Sequence, residues 1–469
     1  MNAQFRRSST VSWLVWTALV AMHVGGCRPA GKPNDPNANG SPNMPAAVRF
    51  VEVPDPLSGD NPAYKLLAAD TPAPGQRITD ARLGGAQTRV TQTAGVRHEY
   101  SRHDPFNADR SLVLLLNVAA GQWCVFETAQ LPYDAPEQLV SKPDLTEPRW
   151  DPNDPNLLWG LRDFRIETQN VRTRETTIIK DFARDPDLAP ILAAEPDLYR
   201  VTMRDEGEAS EDLRYWAFVV QGTAQDYRPR YVITWDRQQD RVLGVLPIAA
   251  NQADIDWVGM SPAGTWVLIG GSEQNAGNLA GLVLANRELT DFHRIDYATG
   301  HADVGRDLDG REVLVMQNVR TDYIDLIPLD PSTKPILESG GTYAGTNRVP
   351  LVRLFYADSP IGLRSGVHIS CNFAGYAVVS TYIEPNDPEQ NWLDRSIILV
   401  RLDRAHPRAY YLAKVYGARA AYWEETHATI TRDGSRVLWA TNWGRSLGQE
   451  KVWCVELQLP TEWPRALAQ

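Results

Sequence analysis

The chain has 469 residues, 43% hydrophobic and 22% charged, with a formal net charge of −11 at pH 7. Such an acidic chain lacks the basic footprint of a general nucleic-acid binder, so no nucleic-acid partner is expected, although one channel can carry its own field. The length admits two or three ordinary domains or one large repeat domain.

In chain order, residues 1–27 read as an export signal. Arg6 and Arg7 form a basic n-region, and Val11 to Met22 form an apolar run of 12 residues, too short to span a bilayer. Val24-Gly25-Gly26-Cys27 resembles the bacterial lipobox. That resemblance implies lipidation of Cys27, a membrane held through the lipid anchor, and an exported lipoprotein facing the periplasm or the cell surface. Residues 28–46 hold five Pro and four Asn, which makes them a tether. Fully extended, they would reach roughly 60 Å.

From residue 96 onward one pattern recurs: a polar strand entry, a short strand, a tight turn and a second strand of bulky residues. It runs from His103 to Asp109 before Leu112-Val113-Leu114-Leu115-Leu116, then from Pro148 to Asp154 before Leu157-Leu158-Trp159. Glu206 to Asp212 precedes Tyr215-Trp216-Ala217-Phe218, and Trp257 to Gly264 precedes Trp266-Val267-Leu268-Ile269. Asp303 to Gly310 precedes Val313-Leu314-Val315, and His368 to Gly375 precedes Ala377-Val378-Val379. The fullest copy is Thr426 to Thr441, where Asp433-Gly434 is a hairpin signal because glycine reaches φ > 0 without steric cost. The turn residues at 109, 154, 212, 263, 309, 374 and 433 lie 54 apart on average.

Repeats of that length, with several short strands each, predict an all-β, seven-bladed β-propeller of four-stranded antiparallel blades. It would occupy 47–469 as one domain, with blades near 96–145, 146–183, 197–249, 254–297, 300–339, 364–416 and 424–460. In the fourth, the strands are expected at Asp256 to Met260, Thr265 to Ile269, Gly281 to Asn286 and Asp291 to Asp296. The outer strand of the fifth is expected at Lys334 to Glu338. Asp185 to Glu195 reads as a short helix or loop, and Glu384 to Trp392 as an insertion. The seventh repeat has only three strands. Its fourth is expected from within 47–95, either Val48 to Val53 or Thr88 to Gln92, closing the ring and protecting its edges.

After Cys27 only Cys124, Cys371 and Cys454 remain, an odd number that argues against a disulfide framework in an exported chain. All three read as buried small hydrophobes.

Six positions before each turn residue, the strand entries hold His103, Pro148, Glu206, Trp257, Asp303, His368 and His427. In ring order the three His fall on consecutive blades, with Asp303 on the next. Two positions earlier, on the same strand face, come Ser101, His301 and Glu425; His98 lies close by. Imidazoles beside carboxylates suit one divalent metal such as Mn, Zn or Fe, with the acids favouring a harder ion. The candidate metal ligands are His103, Asp303, His368 and His427. The candidate substrate contacts are His98, Tyr100, Arg102, His301, Tyr422 and Glu425. The alternative role for each His is a blade-to-blade fastener. His293 and His406 fall near outer strands and read as surface residues. The chain has no phosphate-binding Gly loop, no CxxC pair and no nucleophile elbow.

Over nearly all of 96–460 the repeat resembles the TolB-type propeller repeat of exported bacterial proteins. The His placement more distantly resembles the oligogalacturonate-lyase-type propellers, which implies seven blades and a Mn ion held by His at blade entries. That family carries His-x-His before the last turn. Here the pair is Glu425-Thr426-His427, which keeps one ligand and replaces the other by an acid.

Two functions follow. Ranked first is a monomeric binding module for a glycan or protein partner at the axial channel mouth, since propellers are common recognition platforms and fold alone does not give activity. The other is a metal-dependent uronate lyase. There the metal and Arg would acidify the C5 proton, and Tyr100, Arg102, Tyr422 or a His outside the metal shell would take it.

Overall fold

The computed structural model describes residues 48–55, 70–223, 227–297, 299–318, 320–338, 340–354, 366–386 and 393–467. The predicted export signal, Cys27, the 28–46 tether and part of the 384–392 insertion lie outside them. Among the described residues no helix is long and apolar enough to cross a membrane.

These residues form six sheets, antiparallel but for one pairing, with a few short helical turns. The sheet of Ile255–Met260, Val267–Gly271, Leu282–Ala285 and Phe292–Asp296 shows how the sequence makes them. Each strand pairs antiparallel with the next. All five positions of Val267–Gly271 are buried. Neighbouring sheets cover both of its faces, so it reads as a continuous apolar run without alternation. The turn before it passes through Gly264 at φ 69°, a conformation that suits glycine.

Most predicted strands are found within one or two residues of their expected bounds. Three departures have physical causes. The outer strand of the fifth repeat is Val349–Arg353, paired with Tyr323–Pro328, and not Lys334 to Glu338. Lys334 to Glu338 lies in the connection before it, and Pro350 is tolerated in Val349–Arg353 because an outermost strand has a free side. In the third repeat the inner strand is Leu198–Thr202, upstream of the predicted entry, which leaves Glu206 and Glu208 in the loop that follows. In the first repeat Val96–Arg97 pairs with Asn117 and Leu116, and the chain then leaves the sheet until Phe106 bridges Val113. His98 to His103 therefore occupy turns, and strand alternation does not apply to them. The predicted helix between the second and third repeats is Ala189–Ala194.

Of the two candidates for the missing strand, the later one is paired. Ala86–Arg89 runs antiparallel to Trp453–Gln458, while Val51–Glu52 adds to Arg408–Lys414 as the fifth strand of another sheet. Trp453 also makes one parallel pairing with Val96, joining two antiparallel runs into a nine-stranded sheet.

Consecutive sheets stack through apolar layers. One layer joins Leu112 and Val125 to Trp150 and Leu158, and the next joins Trp159 and Ile166 to Trp216 and Ile233. Further layers carry the stacking through Val258, Leu314 and Ile398 to Trp439. A final cluster places Leu438 and Cys454 against Val113 and Cys124. The three cysteines are buried and free.

Candidate metal centre

Three side chains converge where the chain enters two inner strands. His368 belongs to Val367–Ser370. Glu425 and His427 lie between the single turn Tyr422–Glu424 and the strand Thr429–Ile430. That turn is tied down by Glu424, whose carboxylate accepts the N–H groups of Ala420 and Ala421. His427 has φ 45°, a left-handed backbone rare outside Gly, Asn and Asp. Such strain is held only where surrounding contacts dictate it, and it clusters at functional sites.

One ligand atom from each of His368, Glu425 and His427 falls within 4.8 Å of the others, and all three residues are buried. The Glu425 Oε2 atom lies 2.7 Å from His368 Nε2 and 3.4 Å from His427 Nε2. The two imidazole centroids are 4.0 Å apart. Arg419 donates from Nε to Glu425 Oε1 at 2.9 Å. Arg97, fully buried, donates to the carbonyls of Trp423 and Glu425 and, at 2.8 Å, to His427 Nδ1.

Protonation follows from these partners. Burial alone would raise the Glu425 carboxyl, but hydrogen bonds from His368 and His427 override it and hold it far below the usual range. Burial lowers His368 and His427, and Arg97 pushes both further down, so the rings are neutral beside an ionised carboxylate. Arg97 is always a donor, so His427 Nδ1 accepts and the ring proton sits on Nε2. His368 gives its Nε2 proton to Glu425, which leaves Nδ1 as a lone pair. That nitrogen is buried and has no hydrogen-bond partner among the described residues. As donor types, two imidazoles and a carboxylate suit a divalent ion of the Mn, Fe or Zn class, and binding one between the Nε2 atoms and Glu425 would release the protons those nitrogens carry.

The other predicted site residues divide into two groups. Tyr100 packs edge-on against His427 and His368 at 4.9 and 5.4 Å, and its hydroxyl lies 3.4 Å from His301 Nδ1. The His301 ring is 4.6 Å from that of His368, and Tyr422, half exposed, is 5.2 Å from His427. His98 bonds through Nε2 to the His427 carbonyl, and burial pushes its pKa down to about 3. Glu425, expected as a substrate contact, lies inside the cluster itself.

His103, Asp303 and Arg102 lie elsewhere. Arg149 donates to His103 Nε2 at 2.7 Å, so the ring proton is on Nδ1, 3.0 Å from Glu208. Asp303 accepts the N–H groups of Cys371 and Val304. Arg102 lies over the Trp257 ring at 4.4 Å and contacts Glu206. The strand register fails for His103 and Arg102 because the first repeat leaves its sheet between Arg97 and Phe106; Asp303 keeps its strand, Ala302–Arg306, but its carboxylate is taken by backbone N–H groups. Sequence reasoning also missed Arg97 and Arg419, which sit outside the repeat pattern and carry no spacing signal.

No known family profile and no curated protein matches the chain. Solved structures do match in shape. An oligogalacturonate lyase in complex with manganese aligns with a TM-score of 0.52 at 12% identity, covering 84% of this chain and 99% of that one. An oligogalacturonate lyase from Vibrio parahaemolyticus aligns with a TM-score of 0.50 at 12% identity, with the same coverage. At this identity the likeness is one of fold.

Proposed function

We propose that the protein is a metal-dependent lyase that cleaves uronate-containing polysaccharide by β-elimination at the His368–Glu425–His427 centre. One observation carries the reading: three buried ligand atoms within 4.8 Å of one another, one flank of which is an imidazole nitrogen with no partner among the described residues. The fold shared with a manganese-bound oligogalacturonate lyase supports the same class of chemistry. The binding-module reading ranked first from sequence draws no support from this site.

The scaffold in this proposal is a seven-bladed ring over 47–469, with Ala86–Arg89 as the strand that closes the last blade. The pairing of Ala86–Arg89 with Trp453–Gln458 and the apolar layer between Leu438 and Val113 support it. Export through residues 1–27, a lipid anchor on Cys27, a tether over 28–46, a TolB-like ancestry of the repeat and a monomeric state complete the proposal.

When bound, a divalent ion at this centre would polarise the uronate carboxylate and acidify the neighbouring C5 proton. Arg419, about a third exposed beside Glu425, supplies fixed positive charge for the same carboxylate. His301 takes the C5 proton, with its ring oriented by the Tyr100 hydroxyl. The C5–H electron pair becomes the C4=C5 double bond as the C4–O4 bond breaks. Tyr422, half exposed beside His427, gives its proton to the departing oxygen. Tyr100 is not the base, because burial raises its hydroxyl well above the ordinary tyrosine range.

Elemental analysis tests the centre. The purified protein should carry about one equivalent of Mn, Zn or Fe, lost in His368→Ala and in Glu425→Gln. Anionic polysaccharides should yield new unsaturated-uronate absorbance with the wild type only. A metal-free wild type whose His368→Ala variant merely loses stability would make the histidines fasteners and end the lyase reading.

A further inference from the structure

A second cavity opens toward the other end of the inner strands. The metal-centre residues stand where those strands begin. The cavity is instead lined by residues at or past their ends, such as Met260, Arg306, Asn372 and Arg432. Its volume of about 420 Å³ lies within the range of small-molecule sites, roughly 300–1,000 Å³. One wall is apolar and aromatic, built from Trp150, Trp216, Trp257 and Met260.

The charged lining is uneven in how far it is satisfied. Arg306 is paired with Glu211, and Glu208 with His103. Arg432 makes no side-chain hydrogen bond or ion pair among the described residues; its backbone N–H alone bonds to Asp104. Arg102, only 3% exposed, has a buried Nε without a partner among the described residues, and so does Arg149, which pairs through its other nitrogens with Glu99. Glu206, against Arg102, is the acid partner nearest that guanidinium. The lining carries four arginines and four acids, Glu206, Glu208, Glu211 and Asp303, and burial pushes Asp303 up to about 8 and Glu206 up to about 7. The unpaired Arg432 guanidinium at the edge of this cavity suits a small anion.

We infer that this cavity is a binding site for a small organic acid, with its carboxylate on Arg102 and Arg432 and its carbon body against the Trp257 wall. Guanidinium forks suit a planar carboxylate, and the indoles suit a ring or an apolar face. A bare inorganic ion would leave the aromatic wall unused. The site is separate from the metal centre, and the inference stands whether or not that centre binds metal.

Titration calorimetry on the full chain, with chelator present to keep the metal centre empty, tests the inference. Galacturonate and benzoate would each be compared with a neutral counterpart, galactose and benzyl alcohol. At least one acid should bind about tenfold more tightly than its counterpart. Arg432→Gln, at an exposed position, should weaken it about fivefold, the worth of one charge-assisted bond. Ala374→Trp, at the exposed rim, should weaken it by obstruction without removing charge, and its thermal midpoint should match the wild type. His427→Ala should leave this binding intact. Acids that bind no better than their neutral counterparts would overturn the inference. So would binding that survives both cavity variants, or binding lost in His427→Ala.

Discussion

His103 shows how burial and partners fix a protonation state that stability then depends on. Burial, aided by Arg149, lowers it to about 4, against an unfolded value near 6.5. As pH falls, the unfolded chain takes the proton first, so stability drops between about 6.5 and 4. Glu208 is raised by burial but brought to about 2 by its hydrogen bond from His103, so its share is lost lower, below its ordinary value of about 4.3. His103→Gln should lose about 2 kcal/mol less than the wild type between pH 7 and 5, read from urea unfolding. Equal losses would mean that the ring is not held neutral. At this scale the sequence showed the right residue types and half of their grouping. His368, His427 and Glu425 were legible because His368 and His427 hold the same place before their turns and Glu425 lies two positions before His427. His103 and Asp303 shared it too, but turns and backbone N–H groups claimed them, and no periodicity reports a turn of that kind.

Between elements, contact distance decides what is tolerated. A Cβ at Gly207 would stand 1.9 Å from the Val258 carbonyl oxygen, and one at Gly259 would stand 3.0 Å from the Glu208 nitrogen. The loop after Leu198–Thr202 and the strand Ile255–Met260 touch there backbone to backbone. Gly207→Ala should destabilise the fold by about 3 kcal/mol, whereas Gly121→Ala, with nothing within 4 Å of its added Cβ, should cost only the strain of its φ of 58°. Comparing the two by thermal unfolding separates crowding from conformation; equal losses would refute the close contact. Strands were readable in the sequence because their apolar runs and turn glycines are local. The outer strand of the fifth repeat was not, since Val349–Arg353 is recruited by pairing with a distant partner.

For the whole molecule, the pairing of an early strand with the last one matters most. Gln87, Thr88 and Arg89 face Leu457, Glu456 and Val455. A chain beginning at residue 95 should lose its single sharp thermal transition and elute as aggregate, because the Trp453–Gln458 edge is left open. A truncated chain that melts as one cooperative unit would show that this pairing is dispensable. Sequence reasoning narrowed the early strand to two segments but could not choose, because both carry β-favouring residues and both pair with a sheet edge, only the later one with the last strand.

The same pairing sets a clock on synthesis. The Thr91 hydroxyl accepts the backbone N–H of Cys454, 363 positions later. A ribosome adding about 5–20 residues per second needs roughly 20–70 s to reach that partner. The strand Ala86–Arg89 therefore waits through most of translation, and no nascent chain short of Cys454 can complete its sheet. The export proposed for residues 1–27 would have that whole interval in which to engage an extended chain.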